Sequence, residues 1–264
     1  AVRLALKFNG EVISADSRQV YRGMDIGTGK ISRNKIANNQ DTRNKQIRNS
    51  KLQNSKSYFY KGIRHYLIDA ASPRRTFTVH RYQKLARKVL EGIWKHGKLP
   101  IIAGGTGFYI DSLLSNQSFP PVSPQPKLRR ELEKLSLEEL FRRLKKLDPA
   151  RALKIDRKNK RRLVRALEIT LVSQGVSSFK SNVWELDSQT LKVGILVERE
   201  ELKRKIGKRL RERLDEGMVQ EVRRLHEPFG VTPLGSTRGR QGKGLSWKRL
   251  DGFGLEYRYV SRYL

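Results

Sequence analysis

Two short apolar runs, each followed at once by a polar or glycine-rich turn, constrain the fold of this chain more than any other feature of its sequence. Val12 to Ala15 form the first run, which ends at Asp16-Ser17, and Ile101 to Ala103 form the second, which ends at Gly104-Gly105-Thr106-Gly107. Apolar runs of this length are typical of buried strands. In open α/β sheets, ligands bind at the carboxyl ends of the strands, which is where these turns fall.

The residues between and after the two runs predict helices. Apolar residues at helical spacing extend from Val79 to Ile93, with Thr78 in the position of an N-cap, and a further helix runs to Leu114. A second strand is predicted over Tyr66 to Ile68. The order strand, helix, strand, glycine loop and helix predicts a parallel α/β sheet.

A proline-rich stretch over residues 120–126 interrupts this pattern, and the residues that follow it are helical and very basic. Ser136 and Glu139 have the spacing of a capping box, and a helix that begins near Arg157 has an apolar face. An all-helical insertion of this kind on an α/β core predicts a small separate domain. Beyond it, we expect a strand over Leu191 to Val197 and one long charged helix over Arg199 to His226.

The expected organisation therefore has three parts. The first part of the α/β core covers residues 1–115 and includes a mobile basic loop over residues 31–61, whose polar composition buries too little to offset chain entropy. A helical domain covers residues 116–175. Residues 176–264 return to the core and end in helices.

The charge of the chain indicates a polyanionic partner. Lys and Arg total 57 against 26 Asp and Glu, a formal net charge of +31, which points to nucleic acid without specifying a reaction. The chain has no cysteine, so disulfides, thiolate zinc sites and cysteine nucleophiles are excluded, and its four histidines leave little for a metal site. No apolar run approaches the roughly 20 residues of a membrane span. We expect a cytoplasmic protein with no membrane contact and no metal ligands of its own.

The sequence contains no complete phosphate-binding loop. Such a loop needs G-x-x-x-x-G-K-[ST], because consecutive N–H groups and one lysine must surround a phosphate. Gly27-Thr28-Gly29-Lys30 has a similar ending, but Met24 stands in place of the first glycine and Ile31 in place of Ser or Thr. Gly104-Gly105-Thr106-Gly107 would allow close approach to an anionic group at a helix start, which is an unspecific feature.

Several segments taken together resemble the tRNA dimethylallyltransferase family. The first is Asp16-Ser17-Arg18-Gln19-Val20-Tyr21-Arg22-Gly23-Met24-Asp25-Ile26-Gly27-Thr28-Gly29-Lys30. It is followed by His65-Tyr66-Leu67-Ile68-Asp69, by Gly104-Gly105-Thr106-Gly107-Phe108-Tyr109, and by an arginine-rich stretch from Ile155 to Glu168. Arg199 with Leu202, Lys205, Ile206 and Arg209 matches a further family stretch, so the resemblance spans nearly the whole chain.

The resemblance implies both a fold and a reaction. The fold is a P-loop kinase-like α/β core with a parallel sheet and a small all-helical inserted domain that grips the anticodon stem-loop of tRNA. In the reaction, the N6 amine of the adenosine 3′ of the anticodon displaces diphosphate from dimethylallyl diphosphate. The base must be flipped out for this, and unpaired loop bases are the least costly to flip.

The resemblance also assigns roles to residues. Asp16 would accept the N6 proton as general base, and Ser17, Arg18 and Gln19 would hold the flipped base. Thr106 would lie near the reacting centre, Arg199 would stabilise the departing diphosphate, and Mg²⁺ is expected on that diphosphate. The residues expected to contact RNA from the inserted domain are Arg129, Arg161, Arg162, Leu163, Val164 and Arg165. A monomer is expected.

Each of these residues also has a purely structural interpretation. Taken alone, Asp16 is typical of a turn or a helix cap, Thr106 could cap the helix that follows it, and Arg199 could simply begin its own helix. Arg161, Arg162 and Arg165 could form an ordinary solvated helix face. The long motifs around them favour the functional assignment.

The sequence departs from the family at several points. Family members carry a phosphate loop shortly before the position of Ala1, and without one the chain is expected to be inactive or nearly so. Loop 31–61 is longer than the family's usual link, Arg64 replaces a proline, and Tyr66 replaces a histidine. Three alternatives are a P-loop kinase of nucleotides or small molecules, a related isopentenyltransferase that acts on free adenine nucleotides, and a non-catalytic basic RNA-binding protein.

Overall fold

The chain forms two compact units in a computed structural model that describes residues 1–31, 58–114, 119–120, 122–173, 190–227 and 243–264. One unit comprises residues 1–115 and 187–264, and the other comprises residues 116–186. The limits predicted for the domains near residues 115 and 175 fall outside the described ranges and stay predictions, as does the order of the basic loop over residues 32–57.

The first unit contains a sheet and the helices that pack around it. Its strands are β1 (Gly10–Ser14), β2 (Tyr58–Tyr60), β3 (Ile63–Tyr66) and β4 (Leu99–Ala103). Its helices are α1 (Val2–Lys7), α2 (Val79–Lys95), α3 (Gly107–Leu114), α8 (Arg199–Asp215), α9 (Met218–His226), α10 (Trp247–Asp251) and α11 (Leu255–Tyr263). The second unit contains α4 (Pro126–Leu132), α5 (Leu137–Leu147), α6 (Pro149–Lys154) and α7 (Lys160–Val172).

The strands lie in the order β2-β3-β1-β4, with β1 parallel to both β3 and β4. The predicted parallel core is therefore present. Strand β2 is antiparallel to β3, and the two are joined at Lys61 and Gly62, whose φ angles are +51° and +75°. Positive φ at both positions is characteristic of the tightest hairpin turns. This hairpin corrects the prediction that residues up to 61 form a loop, because Tyr58–Tyr60 pairs with β3.

Two of the predicted strands are confirmed with shifted ends. Strand β1 runs from Gly10 to Ser14 and is buried throughout, and β4 runs from Leu99 to Ala103. The strand predicted over Tyr66 to Ile68 lies earlier, at Ile63–Tyr66. It ends there because Leu67 has a φ of +62°, a left-handed conformation that does not continue a ladder.

Helix α2 confirms the predicted helical spacing and its cap. The Thr78 hydroxyl accepts a hydrogen bond from the Arg81 N–H over 3.3 Å, which satisfies one of the free donors at the helix start. The buried face of the helix consists of Tyr82, Gln83, Ala86, Leu90 and Ile93. This face packs against β1, β4 and α3 and covers one side of the sheet.

The strand predicted over Leu191 to Val197 is not formed. These residues pair with no strand in the described part of the chain. The side chains of Leu191, Val193, Ile195 and Leu196 are exposed, that of Leu196 by 98%. An apolar run becomes a strand only when a neighbour supplies partners for its N–H and C=O groups. None of the described strands does so for this segment.

The single helix predicted over Arg199 to His226 is two helices. Helix α8 ends at Asp215 and α9 begins at Met218, because Gly217 has a φ of +97° that breaks the helical path. The 17 residues of α8 are highly charged, and none of the helices in the described ranges is long and apolar enough to cross a membrane.

The second unit has its own core, formed by the apolar faces of its helices. The Ser136 hydroxyl accepts from the Glu139 N–H over 3.1 Å at the start of α5, as its capping-box spacing predicts. Asn159 caps α7 through the Arg162 N–H, and the helix begins at Lys160, three residues after the predicted start near Arg157. The core is built from Leu132, Leu140, Leu144, Ala152, Leu163, Val164, Ala166 and Leu167.

The alignment of β1 with β4 at their carboxyl ends depends on Gly104. The Ala15 N–H donates to the Ala103 carbonyl over 2.8 Å, and the Thr106 N–H donates back to the Ala15 carbonyl over 3.1 Å. A Cβ atom on Gly104 would lie 2.3 Å from the Ala15 carbonyl oxygen, closer than any non-bonded contact allows. Only glycine therefore permits the turn after β4 to cross the end of β1.

We predict that Gly104→Ala lowers the free energy of unfolding by about 1–3 kcal/mol, because backbone atoms must shift to admit the methyl group. Gly105→Ala is the matched control, since a Cβ there would meet nothing within 4 Å. Its effect is expected to stay within about 0.5 kcal/mol. Urea unfolding followed by circular dichroism measures both variants, and equal stability of the two would contradict the steric argument.

Candidate active site

Asp16 lies at the carboxyl end of β1, in a tight turn built on its own side chain. Its Oδ1 accepts hydrogen bonds from the N–H groups of Arg18, over 2.7 Å, and Gln19, over 3.2 Å. Its Oδ2 accepts no hydrogen bond from the described residues, and the side chain is half-exposed. The turn therefore orients one carboxylate oxygen through the backbone and leaves the other available to a ligand.

Thr106, in the loop that follows the neighbouring strand β4, contacts this turn. Its hydroxyl accepts a hydrogen bond from the Ser17 N–H over 3.0 Å and donates to the Ser17 hydroxyl over 3.3 Å. The two residues are 89 positions apart in the sequence. The structure thus brings Asp16, Ser17 and Thr106 together at the carboxyl edge of the sheet, where the sequence predicted a ligand site.

Tyr109, whose side chain interacts electrostatically with Asp16, is not suited to act as a base. Burial raises the pKa of the Tyr109 phenol above its ordinary value; its electrostatic interactions with Tyr21 and Asp16 raise the pKa further, whereas that with Arg18 lowers it. The ring of Tyr109 stacks on that of Tyr82, with 4.1 Å between ring centroids. Because Tyr109 keeps its proton at neutral pH, it does not compete with the carboxylate of Asp16 for the role of general base.

Gln19 has its side-chain amide fixed by the chain that follows it. Its Nε2 donates to the Thr28 carbonyl over 3.2 Å and to the Gly29 carbonyl over 3.4 Å, and its Oε1 accepts from the Ser14 hydroxyl over 3.3 Å. Both carbonyls are acceptors, so the nitrogen must face them. The amide oxygen consequently points to the side of Ser14.

Lys30, at the end of the segment that resembles a phosphate loop, has a structural role. Its ammonium group donates to the Asp25 carboxylate over 2.9 Å, to the Asp69 carboxylate over 2.6 Å and to the Tyr21 carbonyl. The side chain is 2% exposed. A buried lysine that neutralises two carboxylates is not available to a phosphate, which agrees with the mismatches in the motif.

Arg199 is not joined to this cluster by any contact in the described residues. It lies exposed at the start of α8, where the Glu198 side chain caps the helix by accepting from the N–H groups of Glu200 and Glu201. The role of Arg199 as a stabiliser of the leaving group stays a prediction.

Two of the arginines predicted to contact RNA hold a buried carboxylate inside the helical unit. Glu168 is 0% exposed, and it accepts from Arg129 Nε over 2.8 Å, from Arg129 Nη2 over 2.7 Å and from Arg165. The Gln125 N–H adds a bond of 2.6 Å to the same carboxylate, and Arg165 also donates to the Val122 carbonyl over 2.8 Å. These guanidinium groups tie α4 and the chain before it to α7.

Of the other four residues predicted to contact RNA from the helical unit, two are exposed and two are buried. Arg161 and Arg162 are exposed on the first turn of α7, as a phosphate contact requires. Leu163 and Val164 are buried in the helical core, at 0% and 4% exposure. A contact with RNA at these two positions would have to use backbone atoms.

The residues that hold the segment after Gln19 were not predicted from the sequence. Glu221, on α9, accepts hydrogen bonds from the N–H groups of Asp25, Ile26 and Gly27, and Tyr257, on α11, donates to the same carboxylate. Glu221 and Gly27 are 194 positions apart. No local pattern signals such a contact, because Glu221 sits in an ordinary amphipathic helix.

The chain matches one family in sequence, and solved structures of similar proteins have related names. A model of the family described as IPP transferase matches residues 46–257. The "tRNA dimethylallyltransferase 2" of Citrifermentans bemidjiense is 36% identical over 263 residues, which cover all of this chain and 71% of that protein. The "tRNA dimethylallyltransferase 2" of Treponema denticola is 34% identical and is covered over 76% of its length.

Solved structures agree with the sequence matches. The full-length tRNA isopentenylpyrophosphate transferase of Bacillus halodurans superimposes with a TM-score of 0.53 at 29% identity, covering 99% of this chain and 78% of that one. A eukaryotic dimethylallyltransferase described as acting on tRNA gives a TM-score of 0.58 at 25% identity, covering 86% of this chain and 52% of that one. The expected fold class is thereby confirmed.

The arginines around Glu168 predict a pH-dependent stability. Burial alone would raise the pKa of Glu168, but hydrogen bonds from Arg129, the Gln125 N–H and Arg165 outweigh it and lower the pKa to about 2. A carboxyl group whose pKa is lower in the folded state contributes its full stabilisation when the pH is above its unfolded-state pKa. This stabilisation is lost as the pH falls from the unfolded-state pKa through the folded-state pKa. The contribution at neutral pH is on the order of 3 kcal/mol.

We therefore expect the stability of the chain to fall as the pH drops from about 5 to about 2. Glu168→Gln should be less stable than the parent chain at neutral pH and should lose less stability over this pH range. Urea unfolding at a series of pH values measures both effects. Glu138→Gln is the control, since Glu138 is exposed on α5. If Glu168→Gln kept the full pH dependence of the parent chain, the buried ion pair would not be its source.

Proposed function

Because the chain belongs to the IPP transferase family, we propose that it transfers a dimethylallyl group to the N6 amine of the adenosine 3′ of the anticodon in tRNA. Two of the relatives compared above are named tRNA dimethylallyltransferase 2, and a solved structure is described as a dimethylallyltransferase acting on tRNA. The observation that carries the proposal is the Asp16 carboxylate, which is held through Oδ1 and open at Oδ2 beside Thr106.

In the proposed reaction, the N6 nitrogen attacks the allylic carbon of dimethylallyl diphosphate. The new carbon–nitrogen bond forms as the carbon–oxygen bond breaks, and the diphosphate leaves with the electron pair of that bond. Asp16 Oδ2 takes the proton that N6 loses. The oriented Oδ1 keeps the carboxylate in place without further reorganisation, since the turn N–H groups already bind it.

The residues around Asp16 would hold the reacting groups. Ser17, Arg18 and Gln19 would contact the flipped adenine, and Thr106 would lie next to the acceptor amine, because its hydroxyl already contacts Ser17. Arg199 would stabilise the negative charge that develops on the diphosphate.

Mg²⁺ on the diphosphate is part of the proposal, but the described residues do not fit a metal site built by the protein alone. Within the described ranges, no group of three or more acidic or histidine side chains could hold a metal ion. Mg²⁺ commonly binds substrate phosphates with few protein ligands, so the diphosphate itself would be its main ligand. No step of the proposed reaction depends on it.

Recognition of the tRNA would rest on positive charge. The formal net charge of +31 attracts the phosphate backbone, and Arg161 and Arg162 are exposed for contact with it. Arg129 and Arg165 would act indirectly by holding α7 in place through Glu168. A cytoplasmic location and a monomeric state complete the proposal.

The decisive experiment measures transfer by the chain joined to a phosphate loop. The chain, extended before Ala1 by a strand and a phosphate loop, is mixed with dimethylallyl diphosphate, Mg²⁺ and an anticodon stem-loop, and the RNA mass is followed. We expect the gain of one dimethylallyl group on adenosine-containing RNA and none on free adenine nucleotides. Salt-sensitive RNA binding without transfer would favour the non-catalytic alternative, and phosphate transfer from a nucleotide would favour a kinase.

Asp16→Asn separates the chemical role of Asp16 from its structural one. Asparagine keeps the oxygen that binds the turn N–H groups but is no longer a base, so the transfer rate should fall by roughly 100-fold or more. Affinity for the stem-loop, measured by fluorescence anisotropy, should change little and serves as the control for folding. Transfer at the parent rate would remove Asp16 as the base.

A further inference from the structure

Glu221 is buried against the segment that orients Gln19. Its Oε2 accepts from the N–H groups of Asp25 and Ile26, each over 2.8 Å, and its Oε1 accepts from the Gly27 N–H over 3.2 Å. Glu221 is 4% exposed. A buried carboxylate costs free energy unless donors surround it, and here three successive backbone amides of one turn do so.

Tyr257 completes the set of donors. Its hydroxyl donates to Glu221 Oε1 over 2.5 Å, and burial, followed by the charge of Glu221, raises the pKa of the phenol so that it remains a donor. The Tyr257 ring also lies directly on Gly27, where a Cβ atom would meet it at 2.6 Å. The turn after Asp25 is therefore held both by hydrogen bonds and by contact.

The next glycine is enclosed in the same way. Gly29 has a φ of +61°, and a Cβ on it would lie 2.5 Å from the guanidinium of Arg213, which pairs with Glu256 over 2.5 Å. Side chains from α8, α9 and α11 thus surround one turn. These contacts fix the positions of the Thr28 and Gly29 carbonyls. The same two carbonyls accept hydrogen bonds from Gln19 Nε2.

The orientation of the Gln19 amide has a consequence for base recognition. With Nε2 engaged by the two carbonyls, Oε1 keeps one lone pair beyond its bond to Ser14. An amide oxygen accepts from the N6 amine of adenine and has nothing to offer the O6 of guanine, which is itself an acceptor. If the amide were released and could rotate, its nitrogen would donate to O6 equally well.

We propose that Glu221 is a positioning residue for base selection: by fixing the turn over residues 25–29, it holds the Gln19 amide in the orientation that favours adenine over guanine. The inference rests on the proposed function, because it assumes that Gln19 contacts the base. Glu221 acts through the turn and does not touch the RNA. The C-terminal helices are therefore part of the recognition apparatus and not only a cover for the core.

The test compares the binding of two anticodon stem-loops by the chain as it is, one with adenosine and one with guanosine at the position 3′ of the anticodon. The parent chain should prefer adenosine. Glu221→Gln should reduce this preference by roughly tenfold, the size of one good base contact. A loss of folded protein would weaken binding to both stem-loops equally. The ratio of the two Kd values therefore reports the orientation of the Gln19 amide and not the stability of the variant.

Two further variants keep the test decisive. Tyr257→Phe removes one donor from Glu221 but keeps the ring on Gly27, so it should fold and show a smaller loss of preference. Lys98→Gln is the matched control, because Lys98 pairs with Glu11 over 2.6 Å beside the start of β4 and contacts none of the residues that hold the turn. It should leave the preference for adenosine unchanged even if it lowers stability.

A double variant shows whether Glu221 acts through Gln19. In a Gln19→Ala background, Glu221→Gln should cause no further loss of preference, since the amide it orients is gone. Additive losses, an unchanged preference in Glu221→Gln, or an equal loss in Lys98→Gln would each overturn the inference. A parent chain without any preference would instead contradict the proposed function.

Discussion

The parallel pairing of β1 with β4 is the interaction on which the candidate site depends. Five residue pairs, from Gly10 with Leu99 to Ser14 with Ala103, hold the two strands in register and bring their carboxyl ends to one point. The turns that follow then meet, because the Thr106 hydroxyl binds the Ser17 backbone. Gly104 makes this possible, since any larger residue would collide with Ala15. A shift in the register of β1 against β4 would move Asp16 away from Thr106, and the candidate site would not form.

Buried carboxylates organise the rest of the described chain. Glu168 joins two helices of the inserted unit through arginines, Glu221 holds a turn through backbone amides, and Asp69 accepts from Lys30. Each of these acids is almost completely buried and is matched by donors, as buried charge requires. In a chain with an excess of basic residues, part of the positive charge is therefore used internally. The charge available to RNA is carried by the exposed arginines and lysines.

The elements that depend on local signals were predictable. Thr78 and Ser136 cap their helices, as their spacing indicates. The apolar run over Val12 to Ala15 marks the buried strand β1, because apolar side chains are most stable away from water. Predictions that depended on contacts with distant parts of the chain were wrong in two places. The apolar run over Leu191 to Val197 carries the same local signal as β1 but has no described strand beside it, and the single helix after it is broken by one glycine.

The sequence by itself determined the family and the α/β class, because these follow from motifs in which residue types and spacings are read directly. The same motifs predict a role for Asp16. Only the tertiary structure decided which arginines are free, which lysine is buried, and what holds Gln19. Arg161 and Arg165 look alike in a basic helix, yet one faces solvent and the other binds Glu168. Such distinctions arise from contacts between residues far apart in the chain, and no local pattern encodes them.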